Sequence, residues 1–284
     1  MRVTLATCLA WPALSTSDRR YADALERLGA AVRGAPWNGP TEPFDGADLV
    51  VLRANWDYHH DLAGFVAWLD GLERRGTRVL NPPPMVRWNL DKRYLLDLAR
   101  RGIRVPATEV VPADPAAVAG ALARRGWEMA VVKPLVGASG HGVRLLRTGE
   151  FPALEGTTAS HPDGLLMQEF LPEIVQDGEV SLVFFDGAYS HAALKRPAAG
   201  DFRVNSDYQG TVEPFQPDPD LVRQARAALD TLDEIPLYAR VDVVVRAGEP
   251  IVVELELNEP ALFLTMAPDA AVRFAEATMR RLAS

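Results

Sequence analysis

Two apolar runs near the C-terminus, residues 240–245 and 251–257, constrain this chain more than any other segment. Joined by Arg246-Ala247-Gly248-Glu249-Pro250, they read as a pair of antiparallel strands. Side chains alternate faces along a strand, so Val253, Leu255 and Leu257 share one face, and Glu254, Glu256 and Asn258 share the other. A three-residue connection through Ala247-Gly248-Glu249 sets Asp242 opposite Glu254 and diagonal to Glu256. Opposite residues stand about 5 Å apart at Cβ, and diagonal ones about 7–8 Å. Carboxylates gathered this closely repel unless something cationic intervenes. Carboxylates with an Asn carbonyl, and without His or Cys, suit a hard cation such as Mg²⁺. A solvated sheet face with scattered charge is the plainer alternative. Asn258-Glu259-Pro260 ends the second strand, and a ligand at a strand end faces a cleft rather than the core.

The front of the chain has a different rhythm. Val3, Leu5 and Ala6 read as a strand, residues 18–32 as a helix through Tyr21, Ala24, Leu25 and Leu28, and residues 49–52 as a buried strand. Leu62, Phe65, Val66, Leu69 and Leu72 mark a second helix, and Val79-Leu80 a short strand stopped by Asn81-Pro82-Pro83-Pro84. Strands alternating with helices imply a parallel α/β sheet. The proline run places a domain boundary after residue 85. Beyond it, helices are expected over residues 90–100, 116–125, 219–232 and 269–282. Strands are expected around residues 130–134, 143–146, 165–170 and 180–185, the last followed by the hairpin signal Asp186-Gly187. This second half is largely antiparallel, an α+β arrangement.

With 284 residues, 48% of them hydrophobic, the chain has room for a large core and two domains. A net charge of −8 argues against a nucleic-acid partner. No run approaches the roughly 18 apolar residues of a membrane span. The single cysteine, Cys8, excludes an intrachain disulfide and reads as a buried thiol. These features point to a cytoplasmic protein with a small-molecule partner. The oligomeric state is open, a homodimer included.

Val132-Lys133-Pro134 leads into Gly137-Ala138-Ser139-Gly140-His141-Gly142 and then a strand. Glycines let backbone N–H groups approach phosphate oxygens. No Gly-Lys-Ser/Thr follows, so this is not a Walker A loop, and no helix opens after it, so it is not a dinucleotide fingerprint. A strand–loop–strand flap that closes over a triphosphate fits, and so does an ordinary hairpin loop. Lys133 follows a buried-looking run, and Lys is rarely buried without a partner. Lys92 sits on the helix expected to open the second half, where a solvated face would also suit it.

Together these residues resemble the ATP-grasp superfamily over about residues 90–258. The resemblance implies that Lys92 and Lys133 bind nucleotide phosphates and that Gly137, Ser139, Gly140, His141 and Gly142 form the flap. It implies that Gln168, Glu169, Phe170 and Leu171 form the adenine hinge. Glu179 is the expected ribose carboxylate, with Glu173 competing. Asp242, Glu256 and Asn258 would hold two Mg²⁺, and the choice between Glu254 and Glu256 is left open. It also implies a front domain of residues 1–85 and an ATP-grasp domain of residues 86–284, with a lid of about residues 104–170. Leu52-Arg53-Ala54-Asn55-Trp56-Asp57-Tyr58, with Phe65, Trp68 and the ending Glu254-Leu255-Glu256-Leu257 and Glu259-Pro260-Ala261-Leu262-Phe263, is similar to the glutathione-synthetase-like subgroup that includes the D-cycloserine-forming cyclo-ligase.

Such enzymes phosphorylate a carboxylate with ATP and pass the acyl phosphate to an amine. That chemistry needs charge neutralisation and alignment. Lys195, Arg196, Arg203 and Asn205 lie in or beside a stretch of little apolar periodicity and are the expected loop clamp for phosphate and acyl phosphate; a solvated basic loop is the alternative. Arg53 ends a parallel strand, where open α/β sheets bind ligands, and with Trp56, Asp57 and Tyr58 is the expected recognition site for an amino-acid-like substrate. Arg53 could instead pair only with a local carboxylate. Adjacent His59 and His60 point apart, which argues against a shared ion. A small-molecule kinase and a non-catalytic nucleotide-binding module are the competing readings.

Overall fold

The structure, a computed structural model, describes residues 1–149, 163–205 and 208–283. Residues 150–162 of the expected lid and 206–207 of the expected clamp loop lie outside them.

The front of the chain forms β1 (Arg2–Thr7), α1 (Thr16–Arg27), β2 (Ala31–Pro36), β3 (Leu49–Leu52), α2 (Leu62–Arg74) and β4 (Val79–Leu80). The four strands are parallel, in the order β2-β1-β3-β4. The helix expected to reach residue 32 stops at Arg27, because Gly29 adopts φ +89° and Ala31–Pro36 pairs along β1 as an edge strand instead.

The proline run does not exclude a helix but starts one. In α3 (Pro83–Leu90) proline occupies the first turn, where its missing N–H has no helical partner to lose. The boundary placed after residue 85 therefore falls inside a helix. The single helix expected over 90–100 is in fact α3 and α4 (Tyr94–Arg100), broken at Asp91-Lys92-Arg93. Lys92 thus sits in a turn, its N–H donating to the Leu135 carbonyl at 2.8 Å.

β5 (Thr108–Val111), β6 (Met129–Pro134), β7 (Arg144–Arg147) and β8 (Leu165–Glu169) form an antiparallel sheet in the order β5-β8-β6-β7. It is covered by α5 (Pro115–Arg125) through Val118, Leu122, Val132 and Met167. After α6 (Glu173–Gln176) come β9 (Glu179–Phe185), β10 (Ala188–Arg196), β11 (Thr211–Phe215), α7 (Pro219–Asp230), β12 (Tyr238–Arg246), β13 (Glu249–Glu256) and α8 (Ala270–Ala283). These strands make an antiparallel sheet ordered β11-β10-β9-β12-β13. Lys195 and Arg196, expected in a loop, end β10, because its backbone pairs with β9 and β11 to the last residue.

The β12–β13 hairpin carries the main positional subtlety. Its turn has two residues, not three: Ala247 and Gly248 take φ +54° and +81°, and Arg246 pairs with Glu249. That closure alone would set Asp242 opposite Val253. A bulge between Asp242 and Val243 absorbs one residue and restores Asp242 opposite Glu254, and Arg240 opposite Glu256. Val253 is therefore not on the face of Leu255. Val252 takes its place in the core with Leu255 and Leu257, and Val253 packs beside Leu171 and Ile251.

β13 is an edge strand whose free backbone groups are capped by side chains of the preceding segment. Asn89 donates to the Leu255 carbonyl and accepts from the Leu257 N–H, both at 2.8 Å. Asn81 donates to the Tyr238 and Leu257 carbonyls at 2.9 and 2.8 Å. Tyr94 accepts from the Leu255 N–H. Buried polar backbone needs such partners.

A second clasp joins the parallel sheet to the end of β13. Arg53 and Asp18 are each 2% exposed and pair at 2.8 Å, and Arg53 also donates to the Pro260 carbonyl at 2.8 Å. The Tyr238 hydroxyl reaches the carbonyls of Leu52 and Asn258 at 3.0 and 2.8 Å. Removing one member of a buried ion pair strands the other charge and costs about 3–5 kcal/mol. Arg53→Met should lower unfolding stability by that amount in denaturant titrations. A loss under about 1 kcal/mol would contradict the clasp.

Candidate active site

A cavity of about 420 Å³ opens among the three sheets. Its floor is the charged face of β9, β10, β12 and β13. Cross-strand register puts Lys195 opposite Glu179 and Asp242 opposite Ser181. Asp242, fully buried, accepts from Ser181 Oγ at 2.6 Å, Lys195 Nζ at 3.0 Å and Arg240 Nη2 at 2.9 Å. Arg240 also pairs with Glu256, and Lys195 with Glu179. Lys92 Nζ donates to Glu254 at 2.7 Å.

Asp242, Glu254 and Glu256 each present an oxygen within 4.8 Å of the others. Burial pushes Asp242 up, but Arg240 and Lys195 outweigh it and hold the carboxyl well below its ordinary value. Burial lifts Glu256 to about 7, with Arg240 opposing and Glu254 adding. An all-oxygen set of this kind fits Mg²⁺. Asn258 completes the test. Asn55 Nδ2 donates to Asn258 Oδ1 at 3.1 Å, which leaves Asn55 Oδ1 and Asn258 Nδ2 buried without a partner. A half-turn of both amides keeps their mutual bond, reverses its direction and frees the Asn258 oxygen as a ligand.

The roof is the glycine loop between β6 and β7 together with the loop after β10. Tyr208 donates to the Gly140 carbonyl at 3.2 Å. A Cβ on Gly140, at φ +69°, would meet the Tyr208 ring at 3.0 Å and Asn205 Oδ1 at 3.2 Å, so this position requires glycine. Gly137, Ser139, Gly140 and His141 line the cavity; Gly142 does not, its Cβ position facing Pro134. His141 packs near His59 and His60, with ring centroids 5.6 and 6.0 Å away. Burial, with His60 and His141 close by, lowers His59 to about 4.

At the far end, Gln168, Glu169, Phe170 and Leu171 line the wall where β8 runs into α6. The Glu169 carboxylate is held by Arg246 at 2.6 Å, as is Glu173 at 2.7 Å, so Glu173 is occupied away from the cavity that Glu179 lines. Phe170 meets Phe202 edge-on at 6.3 Å. Arg203 lines the cavity, pairs with Asp201 at 2.7 Å and stacks 3.5 Å from the Tyr208 ring centroid; Asn205 lines it too.

Besides Gly142, three expected residues fall elsewhere. Arg53 is consumed in the buried clasp and does not line the cavity, so its charge serves Asp18 and the Pro260 carbonyl rather than a ligand. Asp57 turns to Trp37 Nε1 and Asn38 Nδ2 at 2.7 and 2.9 Å. Arg196 alternates away from Lys195 on β10, faces solvent and pairs with Glu213. Trp56 and Tyr58 do line the cavity, where Trp56 meets Trp11 edge-on at 5.7 Å. Several lining residues were not expected from the sequence, Glu259, Arg240 and Trp11 among them. Arg240 had a usable signal, two residues before Asp242 on the same strand face. Trp11 had none, since Cys8 and Trp11 form a local bridge that strand periodicity does not announce.

Residues 3–81 match the family model for the N-terminal domain of D-cycloserine synthetase DcsG, and residues 104–245 match the model for the ATP-grasp domain of prokaryotic glutathione synthetase. Cycloserine biosynthesis protein DcsG of Streptomyces lavendulae is 35% identical over 278 residues, 92% of each chain. Glutathione synthetase of Prochlorococcus marinus (strain MIT 9313) is 30% identical over 218 residues, 73% of this chain and 68% of that one. The crystal structure of D-cycloserine synthetase DcsG superposes with a TM-score of 0.88 at 32% identity, covering 99% of this chain and all of that one. D-alanine–D-alanine ligase from Bacillus anthracis superposes at 0.70 with 18% identity over 100% and 97% of the two chains, a likeness of fold.

Lys133 lines the cavity with no ion-pair partner among the described residues. Burial lowers it to about 8, against Glu254 and with Lys92 adding. A polyphosphate bound beside it would raise that value again. Its contribution to affinity is thus complete below about pH 8 and fades as pH climbs through the bound-state value. The dissociation constant for ATP should rise across this range in calorimetry, and Lys133→Met should bind more weakly with that dependence gone. An unchanged slope in the variant would refute the assignment.

Proposed function

Because the chain belongs to the ATP-grasp superfamily of carbon–nitrogen ligases, we propose that it uses Mg·ATP to activate the carboxylate of a small amino acid for ring closure by a nitrogen of the same molecule. The intended substrate resembles O-ureido-D-serine. The full-length likeness to the cycloserine biosynthesis protein favours ring closure over joining two molecules as glutathione synthetases do.

The observation that carries the reading is the convergence, in one cavity, of a hard-oxygen cluster on β12 and β13 with a glycine roof and two lysines. Lys92 and Lys133 hold phosphate oxygens from either side of the cleft. The backbone around Gly137–Gly142 covers the triphosphate. The hinge at Glu169–Leu171 takes the base, and Glu179 the ribose. Asp242, Glu256 and Asn258, with Glu254 beside them, hold two Mg²⁺, and the ions supply charge neutralisation at the phosphates. The substrate carboxylate attacks the γ-phosphorus and ADP leaves. The internal nitrogen then attacks the acyl carbon, loses a proton and expels phosphate. Lys195, Arg203 and Arg240 place fixed positive charge where the acyl phosphate and its tetrahedral successor form. The front domain contributes Trp56 and Tyr58 to the cavity, and the described part of the expected lid contributes Lys133 and Gln168.

Mg·ATP with O-ureido-D-serine should release phosphate and ADP together with a cyclised product that mass spectrometry detects. Phosphorylation without ring closure would mark a kinase instead. Glu256→Gln should cut turnover at least about 1,000-fold, the loss of roughly 4 kcal/mol of transition-state stabilisation, while the circular dichroism spectrum stays native. Near-normal turnover in that variant contradicts the site.

A further inference from the structure

The charges lining the cavity nearly cancel in pairs. Glu254 faces Lys92, Glu179 faces Lys195, Glu256 and Asp242 face Arg240, Glu169 faces Arg246, and Arg203 faces Asp201. Of the lysines, arginines and acidic residues lining the cavity, two remain without an ion pair among the described residues, one an amine and the other a carboxyl. Lys133 is one, and the proposed function gives it phosphate. Glu259 is the other.

It lies beside Glu256 and the Lys92–Glu254 pair, on the metal side of the floor. The hinge at Phe170 and Leu171 marks the end that the proposed function gives to the base. Glu259 follows Asn258 out of β13 toward the parallel sheet, and its backbone carbonyl accepts from Trp56 Nε1 at 3.0 Å. Trp11 and Trp56 form an edge-on wall at this mouth, with Trp11 51% exposed. Trp56 and Tyr58 line the cavity here, and the Tyr58 hydroxyl donates to the Gly137 carbonyl of the roof at 3.5 Å. Burial, with Glu256 and Glu254 close by, pushes the Glu259 carboxyl up to about 8, so it ionises at neutral pH only beside a further cation. An ammonium group supplies that cation, and the indole faces at the same mouth add cation–π attraction.

We infer that Glu259, with the Trp11–Trp56 wall, binds the α-ammonium of the amino-acid substrate. The substrate carboxylate is thereby directed toward the metal cluster and Arg240, the next charged groups inward. The assignment rests on the proposed function for the identity of the site, and it adds that the substrate carries a free α-amine that stays unreacted. Glu259 thus selects amino acids over their des-amino counterparts.

The test pairs each of a panel of D- and L-amino acids, O-ureido-D-serine among them, with its des-amino carboxylic acid. Binding is measured by calorimetry on protein loaded with Mg²⁺ and a non-hydrolysable ATP analogue. Wild-type protein should bind at least one amino acid about 10- to 100-fold more tightly than its des-amino partner. Glu259→Gln should shrink that preference to within about 3-fold and leave affinity for Mg²⁺ and the nucleotide analogue within the same margin. Glu259→Asp, which keeps the charge, should retain part of the preference, and Glu259→Ala repeats the comparison if the amide variant is unstable. A preference that survives Glu259→Gln and Glu259→Ala overturns the inference. So does a loss confined to Mg²⁺ affinity, which would make Glu259 a metal-side group, or a wild-type panel with no amine preference. Failure of the ligase reading shows separately: an amino acid would bind with the expected preference yet release no phosphate from ATP.

Discussion

The molecule is organised around a problem of buried charge. Asp242, Glu254, Glu256 and Glu179 crowd onto one face of a single sheet, where their mutual repulsion would be severe without compensation. Arg240, Lys195 and Lys92 supply it. Such pairs contribute little net stability once desolvation is counted, but they hold the participating atoms in one geometry. Here that geometry is a set of oxygens close enough together to fit a divalent ion. The bulge in β13 belongs to the same solution. Without it the two-residue turn would put Val253 where Glu254 must stand.

Around this floor, each neighbouring unit is anchored by side chains rather than by sheet continuity. Asn81, Asn89 and Tyr94 cap the open edge of β13, so the segment carrying Lys92 is tied to the strand carrying the carboxylates. Arg53, Asp18 and Tyr238 link the parallel sheet to the chain immediately after Asn258. The roof is tied across itself by Tyr208 and Gly140. The front of the chain thus meets the end of the β12–β13 hairpin, and residues far apart in sequence, Trp11 and Glu259, line one cavity.

A ligase of this type works mainly by alignment and electrostatics, and the cavity reflects this. Its polar groups are lysines, arginines and carboxylates already held by partners, so little reorganisation is needed when charge develops on a transferring phosphoryl group. The members without an ion pair, Lys133 and Glu259, both stand near the Lys92–Glu254 pair, one suited to an anion and the other to a cation. The pairing pattern thus outlines the charge distribution of the ligands.

Much of this was legible locally. Period-two alternation made the carboxylate hairpin readable, and helical periodicity with glycine stops located α2 and α5 closely. Asp186-Gly187 announced its hairpin because only residues tolerant of positive φ close a two-residue turn. Errors arose where a residue's role depends on distant partners. Arg53 reads as a ligand-binding arginine at a strand end until Asp18 and the Pro260 carbonyl are seen to enclose it. Arg196 and Lys195 look equivalent until strand alternation sends one to solvent and the other to Glu179. Lys92 belongs to a helix by local propensity and to a turn by its bond to Leu135. By itself, then, the sequence determined most of the strands and helices and which residue types could meet at a metal and phosphate site, because those properties follow from backbone periodicity and side-chain chemistry. Tertiary structure alone decided which charges are spent on one another and which stay free for ligands, because pairing across strands and sheets depends on register, bulges and long-range packing that no local pattern encodes.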